Sequence, residues 1–352
     1  MSNGAVGGLS RRRFLGTSAA AGLTAASLGM RSEGDVPARA STRGSDVTTA
    51  AALPGLNYGA ESAPASGGPG QSGVNFTWFG TNGWEITFGE RTILIDPWFG
   101  RFDAGFFRPG HFNVNTPLTT NQDILDAHIN RADQILIGHG HWDHVADLPF
   151  IAKKTGAMVI GSESHINALI ASGVPASQLV RVKGGEAMQF DGYTIDVFPG
   201  LHSLGPTKQY NPPGHLYSVP SAAPSKIADL PEGDSLIYQI TVGDDFRIFS
   251  MSTANFVERW ITGLQPDVAL IASIFASSIH DFNARLLGAL NFPGIILPTH
   301  WDNFEKPFSE PPQDLRDVFG DNGNTDLWVQ QVTAISPDSQ IVMLDFFQSF
   351  AP

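Results

Sequence analysis

The hydrophobic pattern changes at Gly73. From there, residues 74–79, 84–88 and 91–95 are short β-type runs, the first two separated by an Asn82-Gly83 turn, and they predict a three-strand meander. Beyond residue 120 the runs alternate. Residues 122–129 predict a helix, 134–137 a buried strand, 145–154 a helix, 158–160 a strand, and 162–171 a helix capped by its serine. Further strands are expected at 179–182, 194–198, 236–242, 246–251, 268–272, 295–297 and 341–344, with Gly243-Asp244-Asp245 joining the middle pair as a hairpin. Roughly a dozen strands and five or six helices pack most economically as two mixed sheets face to face with helices outside, an α/β architecture. No internal repeat interrupts this pattern. Residues 203–234 are rich in Pro, Ser and Gly and predict an insertion beside the site.

Composition narrows the function. The 352 residues are 42% apolar and only 16% charged, with 38 Gly and 24 Pro, a turn-rich profile that excludes coiled coils and fibres. The net charge of −13 opposes nucleic acids and anionic lipid surfaces, which require clustered Lys and Arg. Cysteine is absent. That removes disulfides, thiolate metal sites and a Cys nucleophile together, so any metal must be held by His and carboxylate.

The N-terminus reads as an address. Ser10-Arg11-Arg12-Arg13-Phe14-Leu15-Gly16 opens a mildly apolar stretch running to Met30, and Ala38-Arg39-Ala40 supplies a cleavage signal. This predicts a twin-arginine signal peptide over residues 1–40, hence the twin-arginine translocation machinery as a partner and a periplasmic or extracellular destination. Gly16, Gly22 and Gly29 leave the stretch too short and too weakly apolar for a stable membrane span. Residues 41–72, dominated by Ser, Thr, Gly, Ala and Pro, predict a flexible linker, and 73–352 the folded domain.

Three of the ten histidines fall within six residues: His139-Gly140-His141-Trp142-Asp143-His144, directly after an apolar strand. In an extended segment, residues two apart face the same way, so His139 and His141 can grip one ion. A helix beginning near Asp143 would return Asp143 and His144 to the same pocket from a second direction. Isolated histidines such as His128, His165 and His215 are read as surface or hydrogen-bonded residues.

This H-x-H-x-D-H run, with Leu94-Ile95-Asp96-Pro97 before it and Pro298-Thr299-His300 after it, resembles the metallo-β-lactamase superfamily of hydrolases. Within it, the chain looks most like the branch containing the L-ascorbate-6-phosphate lactonase and the phospholipase D that cleaves N-acyl phosphatidylethanolamine. The resemblance implies an αββα sandwich over residues 73–352. It also implies a first metal on His139, His141 and His202, and a second on Asp143, His144 and His300. The family's bridging Asp is replaced by Ser252, so one or two ions remain open; a neutral hydroxyl offsets little of the repulsion between two dications. Asp96 is expected to orient a liganding histidine, and His280 to enter the pocket from the loop after residues 268–272. Ser252 reads either as a metal-site residue or as the cap of a helix from Ala254. The aromatic loop after Asp96, from Trp98 to Phe112, reads either as an apolar lid or as packing on the sheet edge.

The expected activity is that of an exported metal-dependent hydrolase acting on a small-molecule ester, lactone or phosphodiester. A hydroxide generated on Zn²⁺ attacks while Asp143 orients it or shuttles its proton; Mn or Fe remain alternatives at a relaxed site. No Gly-x-Ser-x-Gly elbow supports an acyl-enzyme route. The competing readings are a degenerate metal-binding protein without turnover and a di-iron redox protein.

Overall fold

The computed structural model describes residues 73–352 apart from 206 and 207. The signal peptide expected over 1–40 and the linker expected over 41–72 lie outside the described residues.

Strands β1 (Val74–Gly80), β2 (Gly83–Phe88) and β3 (Arg91–Ile95) form the antiparallel meander. Its first turn falls one residue earlier than Asn82-Gly83: Gly80 pairs with Gly83, and Thr81, at φ 51°, makes the turn with Asn82. The chain then alternates through α1 (Gln122–His128), β4 (Gln134–Leu136), α2 (Trp142–Val145), α3 (Leu148–Thr155), β5 (Met158–Gly161), α4 (Glu163–Ala171) and β6 (Leu179–Arg181). The three new strands extend the sheet from β3 in parallel. The helix expected over 145–154 is two helices, because Pro149 has no N–H to give the Val145 carbonyl and instead starts a new helix. Ser162 does cap α4, and His165 closes the box by accepting the Ser162 N–H at 3.0 Å.

The second sheet begins with antiparallel β7 (Ala187–Phe190), β8 (Tyr193–Pro199), β9 (Leu236–Val242) and β10 (Phe246–Met251). After α5 (Glu258–Ile261), strands β11 (Val268–Ala272) and β12 (Ile295–Thr299), with α6 (Phe282–Ala289) between them, continue in parallel. Past α7 (Arg316–Phe319) and α8 (Thr325–Ile335), the parallel run closes with β13 (Gln340–Ile341), shorter than the strand expected over 341–344. Finally β14 (Ser349–Phe350) returns to pair with β1. Each sheet has seven strands among the described residues: β14-β1-β2-β3-β4-β5-β6 and β13-β12-β11-β10-β9-β8-β7.

Alternation along the strands explains the layering. Ile93, Ile95, Leu136 and Ile160 from the first sheet face Ile195, Ile240, Ile248 and Leu270 from the second. Their neighbours Leu94, Ile135 and Val159 point outward, onto Leu125 of α1, Ile151 of α3 and Leu169 of α4. On the other side Phe249, Ala269 and Ile296 meet Phe282 and Leu286 of α6 and Trp328 of α8. Two sheets therefore share one face-to-face core with helices on both outer faces, as expected from the sequence. The segments following β3, β4, β8, β10 and β12 leave the carboxyl ends of their strands, the position where open α/β sheets bind ligands.

Two glycines test this packing with opposite sign. A Cβ on Gly140 would lie 2.4 Å from the Pro231 carbonyl oxygen, which is backbone and cannot yield. Gly140→Ala is expected to cost about 1–3 kcal/mol. At Gly288, inside α6, a Cβ would meet nothing within 4 Å. Gly288→Ala is expected to stabilise by about 0.5–1 kcal/mol. Chemical denaturation of both variants reads the two signs.

Candidate metal centre

The motif loop can follow its path only because of its glycines. A Cβ on Gly138 would stand 2.1 Å from Ser252 Oγ and 2.6 Å from Asp96 Oδ2. With hydrogen there instead, the Gly138 N–H donates to Asp96 Oδ1 at 2.7 Å, and the Gly140 N–H donates to the Glu232 carbonyl at 2.7 Å. Trp142 to Val145 then coil into α2, which brings Asp143 and His144 round beside His139.

Two clusters of ligand-forming side chains result: His139, His141 and His202 in one, Asp143, His144 and His300 in the other, with the three donor atoms of each within 4.8 Å of one another. The rings of His139, His141 and His202 form a triangle with centroids 4.7–4.8 Å apart. His139 and His144 stand only 3.8 Å apart, centroid to centroid, so the clusters adjoin. In the second cluster Asp143 Oδ2 lies 3.5 Å from His144 Nε2 and 3.3 Å from His300 Nε2, and the two nitrogens are 3.2 Å apart. Ligands at about 2.0–2.1 Å in a tetrahedron stand about 3.3 Å from each other. The donor set thus fits a tetrahedrally held dication.

The outward ring nitrogens fix the inward ones. His144 Nδ1 donates to Asp96 Oδ2 at 2.8 Å, His202 Nδ1 to the Ser203 carbonyl at 2.8 Å, and His141 Nε2 to the Pro212 carbonyl at 2.9 Å. His139 Nδ1 meets Ser252 Oγ at 3.1 Å. In each ring the opposite nitrogen is thereby turned toward the cluster. His300 is held by its backbone instead: its N–H donates to the Thr81 carbonyl at 2.7 Å, and its φ is 52°.

The two clusters differ electrostatically. Burial drives the pKa of His139 and His202 well below the ordinary histidine range, with neighbouring imidazoles adding to it. Burial also takes His141 down to about 4, against some support from Asp143. Burial works against a charge on His144 as well, yet Asp143 and Asp96 outweigh it and raise that ring to about 9. Asp143 too is buried, but His144 and His300 outweigh the penalty and hold its carboxyl well below the usual carboxylate range. The first cluster favours neutral rings, whereas the second sets the Asp143 carboxylate against a His144 ring that favours its proton.

The structure brings together all six ligands expected from the sequence, and places Asp96 behind His144. It corrects two readings. His280 does not enter the pocket: its side chain is 86% exposed and pairs with Asp281 at 3.2 Å. Ser252 does not cap a helix from Ala254, since the next helix is α5 at Glu258; its hydroxyl instead contacts His139. Both readings of the aromatic loop hold in part. Trp98 and Phe99 are buried in the core, while Phe106 and Phe112 line the cavity over the clusters.

Sequence reasoning misses a buried support. The Arg101 guanidinium, between the rings of Phe308 and Phe346 at 4.8 and 4.6 Å, donates to Asp302 Oδ2 at 2.8 Å. Asp302 Oδ1 accepts the Thr81 N–H at 2.8 Å, and the Thr81 carbonyl holds His300. The one local signal is an Asp two residues after His300. Asn82, which donates to Asp96 Oδ2 at 2.8 Å, looks from the sequence like a turn residue and nothing more.

Asp96→Asn tests the role of Asp96. The Asn oxygen can still serve the Gly138 N–H, but its NH2 then faces His144 Nδ1 and Asn82. The expected result is an affinity of the Asp143, His144 and His300 cluster for a dication about 10–100-fold weaker, read by calorimetric titration of metal-free protein.

Comparisons with known proteins agree with this geometry. Residues 91–219 match the family described as Beta-lactamase superfamily domain. The chain is 28% identical over 253 residues to a UPF0173 metal-dependent hydrolase of Polynucleobacter asymbioticus, covering 70% of this chain and 79% of that one. A UPF0173 metal-dependent hydrolase of Myxococcus xanthus is 31% identical over 176 residues, 49% of this chain and 50% of that one. Among solved structures, Igni18, a novel metallo hydrolase from Ignicoccus hospitalis, superposes with a TM-score of 0.51 at 18% identity, covering 79% of this chain and 97% of that one. With two mixed sheets flanked by helices and a His-Asp cluster at the strand ends, this chain has the metallo-β-lactamase fold, and its residues 91–219 are similar to the Beta-lactamase superfamily domain.

Proposed function

We propose that the chain is a metal-dependent hydrolase that cleaves a small-molecule ester, lactone or phosphodiester with zinc. The observation that carries this reading is the 3.2–3.5 Å triangle of Asp143, His144 and His300 beside the three-histidine cluster, both opening on one cavity. Five imidazoles and one carboxylate form a nitrogen-rich donor set, which suits zinc better than the carboxylate-rich ligation of a di-iron redox centre. Bound there, the dication would supply Lewis acidity, lowering the pKa of a held water toward about 7 and drawing charge from the scissile oxygen. The protein's own residues do the rest. Asp143 lines the cavity as a carboxylate and is aimed by His144 and His300, so it can accept a hydrogen bond from the attacking water and orient it. Asp96 and the Ser203 and Pro212 carbonyls keep the rings in register. The likeness to the lactonase and phospholipase D branch agrees with cleavage of ester-type bonds. Arg11, Arg12 and Arg13 with the stretch behind them support export by the twin-arginine route before the enzyme acts.

His141→Ala removes one ligand of the first cluster and is expected to abolish both tight metal retention and hydrolysis, read by elemental analysis and a panel of ester, lactone and phosphodiester substrates. Full metal and full turnover in that variant would refute the assignment of the site. Full metal in the native protein with no turnover on any of the panel would favour a binding protein without catalysis.

A further inference from the structure

The cavity over the clusters, about 320 Å³, is largely walled by aromatic rings. Phe106 packs on Phe112 at 5.2 Å, Phe304 at 5.7 Å, Trp142 at 5.9 Å and Phe319 at 6.2 Å, and Phe319 on Phe275 at 4.9 Å. Phe304 also reaches the His300 ring at 5.6 Å, so the aromatic wall runs up to the ligand-forming side chains. These rings arrive from separate stretches of chain: the loop after β3, the segments after β11 and β12, and α7. Convergence from so many places is a built surface rather than a local accident of composition. Its edge is pinned, since Glu305 Oε1 accepts the N–H groups of Ala104 and Phe106 at 2.8 and 2.9 Å.

Among the described residues, no Lys or Arg lines this cavity; its polar groups away from the clusters, including Gln209, Tyr210 and Asn211, are neutral. An anionic substrate would carry its residual charge against Asp143 and the negative faces of the rings, with no guanidinium or ammonium to receive it. A void of ~150 Å³ lined by apolar side chains holds benzene, so this one accommodates a ring with a short arm while leaving room for the reacting group. We infer that the substrate is a neutral carboxylic ester, open or cyclic, whose apolar group seats against Phe106, Phe112, Phe304 and Phe319. This deepens the hydrolase reading and rests on it.

The test uses metal-loaded full chain with methyl 4-phenylbutanoate, methyl acetate and the anion diphenyl phosphate, hydrolysis being followed by proton release. The phenylbutanoate is expected to exceed the acetate in kcat/KM by about 100-fold, and Phe106→Ala to shrink that ratio at least about tenfold, with Phe106→Leu recovering part of it. Independently of turnover, the neutral ketone 4-phenylbutan-2-one should bind metal-free protein calorimetrically, about fivefold more weakly after Phe106→Ala. An equal rate on both esters, a preference for diphenyl phosphate, or ketone binding indifferent to Phe106 would overturn the inference. If none of the three substrates is hydrolysed while the ketone still binds through Phe106, the apolar pocket stands and the hydrolase reading falls.

Discussion

The carboxylate of Asp96 is the constraint on which the centre is built. It is fully buried and sits at φ 42°, a strained left-handed conformation for a residue with a side chain. Its own N–H donates to the Leu136 carbonyl, tying the end of β3 to β4, while its oxygens accept from Gly138, Asn82 and His144. A buried charge of this kind is tolerated only when donors replace its lost hydration, and here three do so. Each donor comes from a different part of the site: the β1–β2 turn, the motif loop and α2. Breaking the carboxylate would therefore loosen the loop's path and the orientation of a ligand at once.

A second buried charge performs the same service on the opposite side. Asp302 links the β1–β2 turn to Arg101, and the turn in turn holds the backbone of His300. Removing one member of such a pair leaves the other uncompensated, which is why the two are expected to act together. Thr81 and Asn82, a two-residue turn, are thus gripped by both acids. The left-handed φ values of Thr81, Asp96, Arg101 and His300 cluster round this junction, strain that the surrounding hydrogen bonds hold in place.

Much of this is legible in the sequence. Strands buried on both faces are continuous apolar runs, and the bounds expected at 236–242, 246–251 and 268–272 match the structure because turn residues fence them. The six residues of the candidate clusters are legible because four sit in one compact motif and His202 and His300 each follow a strand. What escapes depends on distant partners. Ala187–Phe190 is an edge strand of four residues with half-exposed positions, and Ser349–Phe350 acquires its identity only from β1 across the chain. Nothing local in Arg101 announces that Asp302 will lie against it. His280 misleads because its place after a strand matches the pattern of the ligands, whereas the structure turns it to solvent.

The serine at position 252 sets the electrical character of the centre. Asp143 is the only carboxylate in either cluster, and Ser252 contributes a neutral hydroxyl to the back of His139. Each anionic ligand a dication lacks leaves more of its charge for the substrate and less holding it in place. The aromatic wall would sharpen this, since rings exclude water and would weaken the screening of the charge on a bound ion. If two ions bind here, Ser252 in place of a carboxylate would favour both stronger polarisation of a substrate oxygen and weaker retention of the second ion. On the proposed reading such a centre would need no cationic side chain to hold its substrate: a bound dication would supply the positive charge, and the rings would take an apolar remainder.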